Sequence, residues 1–343
     1  MGSRLHIRAR QPRRLVLPLR GPHWVALLSC FSWLATCPAT ALTLEDGEVH
    51  TLVAAYLFLE VFDGPGMART RVMLDGALIR DDARMFDSSE LRMLSGEIGN
   101  LRLFDSATAT IEDGLLASAT ADQNSHLRIE GGAIAGSLFA GAGASRITLV
   151  GGEVLRVGSV DGGARLFVRG GIVAVSASIR GSGSMIMTGG TVGSNQGSGS
   201  IEVSGPGAEL RVSNGVLDRI LLDVDDGGRA QLLGGEFINA DNEVDICAVN
   251  DPGEPAVEIF GEGFEIDGTP VGFGPLDEVM QGRLTGFLES GDPLDVEFDN
   301  RSPGAIVLIE APEPSVTVLS VAAALTVASL ALCLAPHRRL DTR

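Results

Sequence analysis

Nine short stretches between residues 71 and 246 share one pattern, and that pattern leaves little choice of fold. Fragments such as LRIEGGAI (127–134), ITLVGGEV (147–154), LFVRGGIV (166–173) and MIMTGGTV (185–192) align on the second glycine of a pair. With that glycine as anchor the series is Gly76, Gly96, Gly114, Gly132, Gly152, Gly171, Gly190, Gly215 and Gly235, spaced 18 to 25 residues apart. Three residues before the anchor stand Met73, Met93, Ile111, Ile129, Leu149, Val168, Met187, Val212 and Leu232, all apolar. Two residues after it stand Leu78, Ile98, Leu116, Ile134, Val154, Val173, Val192, Leu217 and Phe237, again all apolar. Five before it, only Arg71 breaks an apolar column, and four before it polar residues such as Arg92, Thr110, Arg128 and Thr148 dominate. Alternation with a period of two is the mark of a strand with one buried face; a helix would need a period near 3.6. The glycines supply a sharp bend, because glycine alone reaches positive φ without steric cost.

A single strand–bend–strand unit cannot bury its own apolar face, but equivalent units stacked side by side can, each hydrogen-bonding to the next. The sequence therefore predicts an all-β chain: a parallel β-helix, or β-solenoid, of about nine coils near 19 residues each. At the usual strand spacing such a rod is about 40–45 Å long. A β-sandwich or jelly roll of short strands is the alternative, but in-register columns at near-constant period favour the solenoid. The wider gap between Gly190 and Gly215 contains GSNQGSGS and SGPG and predicts an enlarged loop. Residues 42–70 are apolar and precede the repeats; they are expected to cap the rod, whose ends would otherwise expose unpaired edges. After the repeats (71–246), DPGEP at 251–255 marks a boundary. Within 247–310, VEIFGEGFEI, GRLTGFLESGDPLDVEF and AIVLIE alternate like antiparallel strands and would cap the other end or form a small β unit.

Charge narrows the function. Between Leu42 and Ala311 there are 17 arginines, no lysines and 42 acidic residues, a net charge of −25. Such a body repels nucleic acid, whose binding needs a basic face. It suits a solvated extracellular surface. Arginines also collect at both ends of the chain. Six lie in the first 20 residues, ahead of an apolar run from Trp24 and then Ala39-Thr40-Ala41. That is the layout of a secretory signal peptide, residues 1–41, cleaved near Ala41. Cys30 and Cys37 would leave with it, and Cys333 lies in the C-terminal apolar run, so Cys247 is the single cysteine of the mature body. Its acidic neighbours Asp245 and Asp251 favour a buried apolar role over a reactive thiol.

At the other end, Val316–Ala335 is 20 residues without a charge, long enough to span a bilayer as a helix. Arg338 and Arg339 follow and would hold that end in the cytoplasm. Ahead of the run stand Pro312, Glu313 and Pro314. The ordered set of Pro-Glu-Pro, apolar run and basic cluster, residues 311–343, resembles the PEP-CTERM sorting signal of exported Gram-negative proteins. It departs from that pattern in Pro336 and His337, which separate the run from the arginines, and in the four residues after Arg339. The resemblance implies a membrane protease of the exosortase type as partner, transient inner-membrane insertion, removal of the tail, and delivery to the cell surface or an exopolysaccharide matrix.

No catalytic constellation stands out. Glycoside hydrolysis needs two carboxylates across a cleft, and Asp223, Asp225 and Asp226 in LLDVDDGG are the best candidates. Asp226-Gly-Gly repeats the sequence Asp161-Gly-Gly, so a turn is the simpler reading. Asp241, Glu243 and Asp245 alternate and could offer oxygens to Ca²⁺, though a solvated acidic edge explains them as simply. His50 and His126 are the only histidines of the body, and no Cys/His spacing suits zinc. No cofactor and no metal is expected. The expectation is a structural or adhesive β-solenoid, associated with extracellular polysaccharide; the alternative is a polysaccharide lyase or hydrolase on the same fold.

Overall fold

The computed structural model describes residues 40–312, apart from 67, 194–198, 239–244, 250–255 and 279. All described elements are strands, with no helix among them. About ten turns of a parallel β-solenoid occupy residues 41–248. Each turn in the regular part has a four-residue strand, such as His126–Ile129, Arg146–Leu149 and Arg165–Val168, followed by a longer one. The longer strands, Ala133–Ala140, Glu153–Val160 and Ile172–Arg180 among them, run to eight or nine residues. Like strands stack in parallel from turn to turn: Leu127 pairs with Ile147, and Ile147 with Leu166.

The glycine bend joins short strand to long strand. All nine anchor glycines have positive φ, from 73° at Gly76, Gly132 and Gly171 to 116° at Gly96. The glycine before the anchor has a second reason to lack a side chain. A Cβ at Gly170 would overlap the Val150 carbonyl oxygen of the preceding turn, because backbones of successive rungs touch here.

The first repeat is offset. Gly96 stacks on Ala77, not on Gly76, and Leu74 pairs with Met93. Ala77 takes the place of the anchor there, so the buried residues are Leu74 and Ile79, while Met73 and Leu78, expected in the apolar columns, are only half-buried. Arg71 then falls in the outward column opposite Glu90, which accounts for its break in the pattern.

The second strand of each turn in the regular part is longer than the first. It bends in mid-course, where register shifts separate Ile134 from Ser137 and Val154 from Arg156. This creates a third wall with its own inward column: Leu59, Ala83, Leu101, Ala119, Leu138, Val157 and Ala177, all buried. Burying such a side chain contributes about 1.5–3 kcal/mol. The interior of the stack is aliphatic. The buried aromatics, Phe264 and Phe298, belong to the C-terminal segment.

A second corner follows the third wall. Here the side chain of one rung accepts from the backbone N–H of the rung before: Asp63 N–H donates to Asp87, Asp87 N–H to Asp105, and Asp105 N–H to Gln123. Beside this column Phe62, Phe86 and Phe104 stack with centroids 4.6 and 5.0 Å apart.

Residues 42–70 belong to the same stack and reach over two of its rungs: Leu42 pairs with Leu59, and Val49–Leu52 with Arg71–Leu74. The enlarged loop expected between Gly190 and Gly215 falls largely on 194–198, outside the described residues. At the far end the stack changes character. Val257–Ile266 continues the short-strand wall in parallel on Arg229–Leu232, and Ile306–Glu310 adds to it, also in parallel. Pro293–Asn300 continues another wall on Ile246–Ala248. Gln281–Leu288 pairs antiparallel with both Val257–Ile266 and Pro293–Asn300. The antiparallel reading of this region thus holds for the central hairpin, whereas AIVLIE pairs with its main neighbour in parallel.

Candidate functional site

The third wall carries a shallow groove of about 370 Å³ on its outer side. Two outward columns build it. Ser137, Arg156, Ser176 and Ser200 are register partners on successive rungs. Next to them run Phe139, Gly158, Ser178 and Glu202, with Arg180 at one margin. Phe139 is 37% exposed, and a Cβ at Gly158 would overlap its ring. The aromatic ring therefore lies across bare backbone of the next rung. Arg156 Nε donates to Ser137 Oγ at 2.7 Å. Arg180 Nη2 reaches both oxygens of Glu202, at 2.9 and 3.3 Å, and the Ser178 hydroxyl donates to Glu202 at 3.1 Å. The groove therefore offers hydroxyls, guanidinium donors and an apolar ring in a line along the rod. Such a surface hydrogen-bonds and stacks against a polyhydroxylated chain.

The groove has one carboxylate in its lining, Glu202, and that group is held by Arg180 and Ser178. Its register partner on the next rung is Asp223, whose own partner is Cys247. Glu202 and Asp223 thus stand side by side on one wall, not facing each other across a cleft. Cys247 is buried, and burial followed by the Asp223 carboxylate pushes its thiol up, which keeps it protonated. A second hollow, lined by Glu209, Arg229, Gln231 and Glu258, holds two carboxylates. They lie two rungs and two strand positions apart, roughly 12 Å between backbones. Glu258 accepts from Gln231 at 2.8 Å.

The residues singled out in the sequence are scattered. Asp223 and Asp225 share one outward face of Ile220–Asp225, as alternation requires. Asp226 has φ +48° and begins the turn with Gly227, as its likeness to Asp161-Gly-Gly suggested. Asp241 and Glu243 lie outside the described residues. Asp245 is not on a solvated edge: it is buried and accepts the Glu297 N–H at 2.8 Å, tying the last turn to the hairpin. Among the described residues no group of three or more acidic, His or Cys side chains is placed to hold a metal. His50 bonds Asp46 at 2.9 Å, and His126 is exposed on the short-strand wall. Pro312 is exposed just after the last strand; Glu313, Pro314, Arg338, Arg339 and the apolar run Val316–Ala335 lie outside the described residues.

Phe139, Arg156, Arg180 and Glu202 were not legible as a site in the sequence. The one available signal was that Phe139 and Gly158 stand 19 residues apart, one full repeat. No known protein family matches this chain, and neither a curated protein nor a solved structure does.

Proposed function

We propose that the chain is an exported, surface-sorted structural or adhesive rod that contacts extracellular polysaccharide. The observation that carries this reading is the groove along the third wall. Its hydroxyls, its ring on Gly158 and its neutralised carboxylate suit holding a sugar chain, and they supply no opposed acid and base for cleaving one. The export half of the reading rests on the sequence: the signal-peptide layout of residues 1–41 and the Pro312-Glu313-Pro314, apolar and Arg338-Arg339 succession. An exosortase-type protease would act on that tail.

Mass spectrometry of the protein from cells with and without the sorting protease tests the export half. A C-terminus shortened only when the protease is present is the expected result; an intact chain through Arg343 in the wild type overturns it. The binding half is tested with Phe139→Ala, which should weaken retention on immobilised exopolysaccharide without altering the fold. The alternative of a glycan-cleaving enzyme draws on the adjacency of Glu202 and Asp223 alone. Release of reducing ends that disappears in Glu202→Gln would establish it.

A further inference from the structure

The short-strand wall carries one run of like charge. Further back on the same wall two arginines meet carboxylates on the next rung: Arg71 meets Glu90 at 3.2 Å, and Arg92 meets Glu112. Across three successive rungs the outward column instead runs His126, Arg146, Arg165. Arg146 and Arg165 are direct register partners, so two like charges face each other, an arrangement that costs stability. Arg169, at the end of the same rung as Arg165, adds a third guanidinium. None of these three arginines forms an ion pair with a described residue. The body around them carries a surplus of 25 negative charges.

The patch is also built. Arg146 lies over the Phe167 ring at 4.2 Å, and Arg169 sits at its margin at 5.9 Å. Stacking holds a guanidinium flat by cation–π attraction and leaves its N–H edge free to donate. The patch borders a hollow of about 280 Å³, lined by Thr110, His126, Arg128, Arg146, Thr148 and Arg169. Local unfavourable charge kept on a folded surface marks a place where an absent partner supplies the compensation.

We infer that this wall binds an acidic polysaccharide, its uronate-type carboxylates seated on Arg146, Arg165 and Arg169 and its hydroxyls on Thr110 and Thr148. Guanidinium forks match carboxylates bidentately. An extended polymer with an acid group on successive sugars can seat neighbouring carboxylates on Arg146 and Arg165, one rung spacing of about 4.8 Å apart, with Arg169 further along the Arg165 rung. Nucleic acid fits less well. The one aromatic ring here is covered by Arg146 and offers no face for a base, and the acidic body repels a densely charged strand. A peptide strand finds no open sheet edge, because the strands of these rungs are paired on both sides. The inference deepens the adhesive reading and rests on it for biological setting, yet it concerns a different wall from the Phe139 groove.

The test uses the full-length protein, with polygalacturonate, its carboxyl-reduced neutral counterpart and single-stranded DNA as probes in affinity electrophoresis. The wild type should be retarded by polygalacturonate, more weakly as salt is raised, and less by the neutral polymer. The double variant Arg146→Ala/Arg165→Ala should lose at least tenfold in affinity while its thermal midpoint stays equal or rises, because the like-charge pair is gone. In the Phe139→Ala background, which removes the groove's ring, Arg146→Ala/Arg165→Ala should cause the same loss of affinity, which separates the patch from the groove. Equal retardation by the neutral polymer, unchanged affinity in the double variant, or tighter binding of DNA would each overturn the inference. A tail that is never processed would remove the sorting proposal and leave this one standing.

Discussion

Asp292 accepts the backbone N–H of Gly235 at 2.8 Å, so the terminal hairpin is tied to the last of the nine glycine bends. The same carboxylate accepts the Ser290 hydroxyl at 2.7 Å. The Gly235 bond first and the Ser290 bond second hold Asp292 below the ordinary carboxylate value. A depressed folded pKa stabilises the fold at pH above the unfolded value of 3.8 and ceases to do so as pH falls below it. Asp292→Ala should therefore lower stability by about 0.5–1.5 kcal/mol at neutral pH. The difference should shrink below pH 4, as read by urea unfolding at both pH values.

Asp122 behaves in the opposite sense. Burial raises its pKa, and Arg102 offsets this only in part. Its charged form is disfavoured in the fold, so stability is lost as pH rises above the ordinary carboxylate value. Asp122→Asn should melt higher than the wild type at pH 7 and level with it at pH 3, where both side chains are neutral.

Gly171 has φ +73°, and a Cβ there would stand 2.8 Å from the Gly152 carbonyl oxygen of the preceding rung. Gly171→Ala should cost about 2–4 kcal/mol, combining left-handed strain with a backbone clash. Gly272 has open space around it and no positive φ. Gly272→Ala is the matched control and should change the denaturation midpoint by less than about 0.5 kcal/mol.

Phe86 lies between Phe62 and Phe104 in the corner stack, nearly parallel to both. Phe86→Ala removes two stacking contacts and a half-buried ring and should cost about 2–3 kcal/mol. Phe86→Leu should recover part of this, since leucine restores apolar area without the ring geometry.

Much of the fold was legible because two of its constraints repeat in residue type. The buried column from Met93 to Leu232 and the positive-φ column from Gly96 to Gly235 fall at a fixed offset from each other. The third wall escaped notice because its bend repeats no residue type: Gly99 and Gly136 stand there in two rungs, Ala117 and Leu155 in two others. The residues that line the groove there, Ser137, Arg156, Ser176 and Ser200, share a register, but Arg156 interrupts the serines and their offset from the anchor is not constant. The arginine patch was hidden for another reason. His126, Arg146 and Arg165 each read as an ordinary polar strand residue, and only stacking brings them together without a carboxylate between. The one-residue offset of the first repeat did leave a trace, in Arg71, the sole charge in an apolar column.

Register between rungs is local. Ala133–Ala140 pairs with Leu115–Ala121 on one side and Glu153–Val160 on the other, and with no strand further off. The molecule can accordingly be lengthened or shortened by whole units, like a stack of coins. Excising residues 133–152 would join Gly132 to Glu153 inside an equivalent hinge, bring two former second neighbours into partnership, and draw the two ends of the shaft closer by one strand spacing, about 4.8 Å.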